Sequence, residues 1–78
     1  MEIKVLGPGC RNCVTLENAT REAVDQLGLD ATIEKVTDYA DIAAYGVMST
    51  PGLVVDGTVV VSGRVPRTAE IVELLTAR

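Results

Sequence analysis

Apolar residues along this chain switch between two spacings, and that switch restricts the fold to layers of strand and helix. Glu2 to Leu6 alternates, with Ile3 and Val5 on one face of a short strand. Gly7-Pro8-Gly9 interrupts the run. From about Cys10 to Leu27 the spacing becomes three and four, and Cys13, Leu16, Thr20, Ala23/Val24 and Leu27 form the stripe of a helix. Gly28 follows, able to take the left-handed conformation that closes a helix. Ala31 to Val36 is a second strand, with Ile33 and Val36 apolar. Thr37 or Asp38 offers a side-chain oxygen to cap a short helix through about Tyr45, which Gly46 ends. Leu53 to Val55 and Val59 to Val61 flank Asp56-Gly57, a hairpin signal because a two-residue turn needs positive φ. After a loop from Gly63 to Pro66, a last helix starts near Pro66 to Thr68 and buries Ile71, Leu74 and Leu75.

The order β-α-β-α-β-β-α predicts an α/β structure, a four-stranded mixed sheet with helices on both faces. Strands that alternate with helices favour parallel pairing through right-handed crossovers, so the first three strands are expected to be parallel. The hairpin then adds an antiparallel strand. With 78 residues and no linker, repeat or low-complexity tract, residues 1–78 are expected to form a single domain. The hydrophobic fraction is 47% with no Phe or Trp, so Leu, Ile, Val and Ala must fill the core.

Charge and composition exclude several functions. A net charge of −4 argues against nucleic acid as a partner, since such modules carry a basic face. It argues equally against electrostatic attachment to an anionic membrane. The apolar runs on either side of Asp56-Gly57-Thr58 fall far short of the roughly 20 residues of a membrane span. Met1-Glu2-Ile3-Lys4 shows no secretory signal pattern, so a cytoplasmic location is expected. Histidine is absent, which removes the commonest general base and the commonest metal ligand.

What remains for chemistry is Gly9-Cys10-Arg11-Asn12-Cys13, a C-x-x-C at the end of the first strand and the start of the first helix. Functional sites of open α/β sheets gather at that edge. At a helix start, Cys10 meets unpaired N–H groups and the positive end of the macrodipole, which stabilise a thiolate. Arg11 adds a nearby cation. Cys13 lies one turn deeper, on the core stripe. Cys10 is therefore the expected attacking thiol and Cys13 the resolving thiol, with Gly9, Arg11 and Asn12 forming an exposed turn that a partner would touch.

Other uses of the pair stay open. As a structural disulfide it closes a four-residue loop, for which chain entropy gives only on the order of 2 kcal/mol. A zinc site needs four ligands, and this chain offers two thiolates. A soft-metal carrier for Cu(I) or Zn is the sharper competitor, since thiolates select Cu(I). Copper chaperones of the heavy-metal-associated type also place C-x-x-C between strand and helix. Their motif has Met where Pro8 stands, and they end in a strand. A redox-switched protein-binding module is a third reading. No cofactor and no metal are expected on the thiol-exchange reading.

A second constellation is Tyr45-Gly46-Val47-Met48-Ser49-Thr50-Pro51-Gly52-Leu53. Pro51 stands just before a strand, where it cannot donate a ladder hydrogen bond and forces Thr50 to be extended. Together the two motifs resemble the thioredoxin superfamily, and most closely its small redox-active disulfide proteins. Val5 to Cys13, Tyr45 to Pro51 and Ser62 to Pro66 carry the likeness, which spans essentially the whole chain. The resemblance implies a thiol–disulfide oxidoreductase acting on protein disulfides and recycled by an unidentified reductase or low-molecular-weight thiol. It implies that Cys10 is the nucleophile, Cys13 the resolving thiol and Pro51 a cis-proline packed against them. It further implies that the Thr50 backbone pairs with an extended partner segment and that Gly63 lies in a loop beside the same groove. Arg64 is a second candidate for that groove. The family's buried carboxylate in the first-motif strand has no counterpart, because no Asp or Glu lies between Glu2 and Glu17. Water or the Lys4 amine would then have to accept the Cys13 proton.

Overall fold

A computed structural model describes residues 1–76. The chain runs β1 (Glu2–Leu6), α1 (Arg11–Leu27), β2 (Thr32–Val36), α2 (Tyr39–Ala44), β3 (Gly52–Val55), β4 (Thr58–Ser62) and α3 (Thr68–Thr76). The strands form one mixed sheet in the order β2-β1-β3-β4. The architecture is the expected thioredoxin-like α/β arrangement.

Two apolar clusters lie on the two faces of this sheet. On one face Ile3, Val5, Leu53, Val55 and Val61 meet Leu16, Ala23 and Val24 of α1 and Ile71 and Leu75 of α3. On the other, Leu6 and Val54 meet Ile42 of α2 and Val47. Alternation along β1 sends Ile3 and Val5 to the first face and Leu6 to the second. Leu74, expected in the stripe of α3, is only half-buried. Successive residues of a helix stand about 100° apart, so Leu74 and Leu75 cannot both face the sheet squarely.

The pairing of β3 corrects the sequence reading. β1 and β2 are parallel, with Ile3 opposite Ile33 and Leu6 opposite Val36. β3 is antiparallel to β1, with Leu6 opposite Gly52 and Ile3 opposite Val55. The reason is length. A five-residue strand spans about 17 Å, whereas the six-residue α2 climbs only about 9 Å. The chain never reaches the far end of the sheet. Gly46 reverses it at φ 81°, Val47 docks in the second cluster, and β3 starts beside the end of β1.

Local signals set the remaining turns. Asp56 and Gly57 have φ of 49° and 83°, the paired positive values of a tight hairpin turn. The same turn is tied to β1: the Asp56 N–H donates to the Glu2 carbonyl at 2.8 Å, and the Glu2 N–H donates to Asp56 Oδ1 at 2.8 Å. Gly28 closes α1 at φ 62°, its N–H donating to carbonyls of the last turn. Asp38, one of the two cap candidates, accepts from the Ala40 N–H at 2.8 Å and starts α2.

Leu16 is fully buried between α1 and the sheet, unlike Leu74. We expect Leu16→Ala to cost about 3 kcal/mol and Leu74→Ala only about 1 kcal/mol, since the second leaves no enclosed cavity. Urea denaturation followed by circular dichroism checks both.

Candidate active site

The last residues of β1 deliver the chain to Gly7, whose N–H donates to the Val36 carbonyl at 2.8 Å, so the turn begins while still pinned to β2. Gly9, at φ 92°, swings the chain into the helix. Cys10 is the N-cap of α1, extended at φ −67° and ψ 168°. Its Sγ accepts the Cys13 N–H at 3.2 Å and so satisfies one of the free donors of the first turn. Helix geometry turns Cys13 back towards this sulfur, and the two are joined as a disulfide with Cα atoms 5.0 Å apart. Cys10 is exposed to solvent, whereas Cys13 is only 4% exposed. Arg11 and Asn12 stand exposed on the first turn between them.

Beside this pair lies the start of β3. The Thr50–Pro51 peptide bond is cis, as the resemblance implied. Pro51 is fully buried and Thr50 half-buried. Gly63 belongs to the same place, because its N–H donates to the Pro51 carbonyl at 2.9 Å. A Cβ on Gly63 would come within 3.0 Å of the Ser49 Cβ, at a φ of 76°. Gly9, Cys10, Cys13, Thr50, Pro51 and Gly63 therefore gather at one end of the sheet. Arg64 leaves this group: its guanidinium is paired with Glu70 of α3.

Gly7 is a residue the sequence reading treated only as punctuation. It is buried, and a Cβ placed on it would overlap the Cys13 Sγ and reach within 4.0 Å of the Thr50 Cβ. Its missing side chain is what lets the Cys13 sulfur and the β3 entry close on the end of β1. Its φ is not in the left-handed region, so the requirement is purely one of space.

Lys4, named above with water as a proton acceptor for Cys13, faces the other side of the sheet. Lys4 alternates with Ile3 and Val5, so it faces away from the cluster that α1 packs on. Its Nζ donates to Tyr45 Oη at 2.9 Å and lies 3.5 Å from a Glu2 carboxylate oxygen. The Tyr45 hydroxyl, with Glu2 behind it, raises the Lys4 ammonium above its ordinary value. It is a stable cation on the wrong side of the sheet, and no base for Cys13.

Glu17 is the other residue the sequence did not single out. It follows Cys13 by one helical turn on the buried stripe, and its side chain is 10% exposed. Arg21 Nη2 lies 3.0 Å and Lys35 Nζ 3.3 Å from its carboxylate oxygens. The Arg21 hydrogen bond, then that of Lys35, holds this carboxyl below its ordinary value against the opposing effect of burial.

Known proteins match this chain along nearly its whole length. The pattern of the thioredoxin domain family covers residues 1–76. The chain belongs to the thioredoxin family. It is 43% identical over 76 residues to a thioredoxin of Methanothermobacter thermautotrophicus, covering 97% of this chain and 99% of that one. It is 41% identical over 73 residues to a thioredoxin of Methanocaldococcus jannaschii, covering 94% of this chain and 84% of its relative. The chain is a thiol–disulfide oxidoreductase, and its C-x-x-C cysteines, Cys10 and Cys13, are joined as a disulfide.

Two outcomes follow for its scaffold. Gly7→Ala is expected to lower stability by about 1–3 kcal/mol through forced overpacking against Cys13, read as a shift in the urea midpoint. Glu17→Gln is expected to cost about 1 kcal/mol at pH 7, because it removes a charged hydrogen-bond acceptor. Since folding depresses the Glu17 value, its contribution is present above the ordinary carboxylate range and is lost as pH falls through the folded value. The gap between wild type and Glu17→Gln should therefore close below about pH 4, in paired melts across acid pH.

Proposed function

We propose that Cys10 is the nucleophile and Cys13 the resolving thiol in a cycle that reduces disulfides in other proteins. The Cys10 thiolate attacks one sulfur of the partner disulfide. A bond from Cys10 to that sulfur forms, the partner's own S–S bond breaks, and its second sulfur leaves as a thiolate that takes a proton. Cys13 then gives its proton to solvent and attacks Cys10 Sγ. The Cys10–Cys13 disulfide forms, and the partner's first sulfur departs and is protonated. Two electrons have passed from the dithiol to the partner.

The observation that carries this reading is the asymmetry of the two sulfurs. Cys10 is exposed and accepts a backbone N–H at the positive end of a 17-residue helix, which favours negative charge on that sulfur. Cys13 is buried beneath it. A partner reaches the first sulfur and not the second. Gly9, Arg11 and Asn12 frame the approach, and the extended Thr50 backbone beside Pro51 and Gly63 is the edge on which a partner segment would add as a strand. The cycle closes when a reductase or a low-molecular-weight thiol reduces Cys10–Cys13 again. A cytoplasmic setting fits, because thiols there are held reduced. Residues 1–78 act on this reading as one domain.

With dithiothreitol as electron donor, wild type should accelerate insulin disulfide reduction, and Cys10→Ser should fall to the rate of dithiothreitol alone. Cys13→Ser should instead accumulate mixed disulfides through Cys10, visible on non-reducing gels. Equal activity of Cys10→Ser and wild type would refute the role given to Cys10.

A further inference from the structure

The charges of this protein are segregated. Three segments at the disulfide end of the sheet, residues 7–15, 46–52 and 62–67, contain none of the eleven acidic residues and three of the seven cations: Arg11, Arg64 and Arg67. The rest of the chain is strongly acidic. All three arginines stand at one end of the sheet, because α1 and α3 both begin where β1 and β4 finish. All three are exposed.

Of the acids near this end, two are paired and two lie on the other face of the sheet. Glu70 is paired with Arg64. Asp38, which caps α2 through the Ala40 N–H, and Asp41 stand at the start of α2, on the face of the sheet opposite α1 and α3. Glu17 is buried below Cys13 and held between Arg21 and Lys35. Among the described residues neither Arg11 nor Arg67 has an acidic partner. An acidic molecule thus presents its redox sulfur from a positive rim.

We propose that this rim selects protein segments whose disulfide is flanked by carboxylates, with Arg11 and Arg67 as the discriminating residues. The inference rests on the exchange cycle above and names the class of partner for it. Both halves of the charge pattern act in the same direction. Arg11 and Arg67 attract carboxylates near the sulfur, while the acidic remainder of the surface repels acidic segments docked anywhere else. An approaching acidic segment is therefore oriented as well as attracted. A basic segment is drawn to the wrong faces and repelled at the right one. The groups are exposed, so the preference must weaken as salt shortens the screening length.

Two synthetic peptides test it, each closed by one internal disulfide and differing only in Glu or Lys at the flanking positions. Dithiothreitol supplies the electrons, and each catalysed rate is divided by that peptide's rate with dithiothreitol alone, which removes intrinsic differences between the disulfides. We expect kcat/KM to favour the Glu peptide about tenfold at low ionic strength. The ratio should fall towards one at about 0.5 M salt and reverse in the double variant Arg11→Glu/Arg67→Glu. Arg11→Gln/Arg67→Gln, which only neutralises the rim, should bring the ratio near one and guards against a folding defect in the reversed variant. Equal rates for the two peptides, a preference for the Lys peptide, or a Glu preference that survives in both variants would overturn the proposal and leave the exchange cycle standing. Failure to reduce either peptide would instead remove the cycle on which it rests.

Discussion

The close approach of the Cys13 sulfur to the backbone of Gly7 organises the whole redox end of the molecule. A helix that follows a strand through a three-residue turn must leave the sheet almost at once, and its first buried side chain comes down on the strand's own end. Here that side chain is Cys13, and only the missing Cβ of Gly7 gives it room. The same gap brings Thr50 in beside it. Because Cys13 is sunk to this depth, Cys10 one turn earlier is left at the surface as the helix cap. The difference in access between two chemically identical sulfurs is thus a packing consequence of where β1 stops.

That arrangement also explains why the second face of the sheet has to be built as it is. Pro51 must stand opposite the end of β1, so the chain leaving β2 has to come back to the end it departed from. A short helix, a left-handed Gly46 and the buried Val47 accomplish the return within the segment between β2 and β3. The cost is coverage. α2 shields Leu6 and Val54 but leaves Lys4, Tyr45 and Glu2 to cover their part of the sheet with a hydrogen bond and an ion pair. The polar patch on that face is a by-product of the chain reversal that places Pro51.

What could be read from the sequence divides along the range of the forces involved. α1 was legible because its stripe and its terminal Gly28 are local signals, and the hairpin was legible because Asp56-Gly57 can adopt a conformation few other pairs can. The cysteine pair and Thr50-Pro51 were legible for the same reason, each being a short motif with its own chemistry. The direction of β3 was not, since it depends on how far six helical residues climb relative to the strands they cross. Gly7 was hidden because its need is for space against a residue of the next element, and nothing in a Gly-Pro-Gly turn distinguishes space from flexibility. Glu17 did carry a signal: it falls on the Cys13–Leu16–Thr20 stripe, and a charge on a buried stripe calls for a partner. The partner, Lys35, comes from β2 and could be named only once the strand order was known.

Electrostatics at this end follows from the same geometry. β1 and β4 finish at the same end of the sheet, which brings the starts of α1 and α3 together there. Helix starts carry partial positive charge from their free N–H groups. Acidic residues ordinarily gather there because they offset it, and α3 follows that habit with Glu70 in its first turn. α1 does not, having no acid in its first turn and a cysteine as its cap. A carboxylate in that first turn would compete with a Cys10 thiolate for the same donors and disfavour its charge. In the proposed cycle, leaving the cap to sulfur keeps the helix's positive end available to the thiolate that attacks the partner.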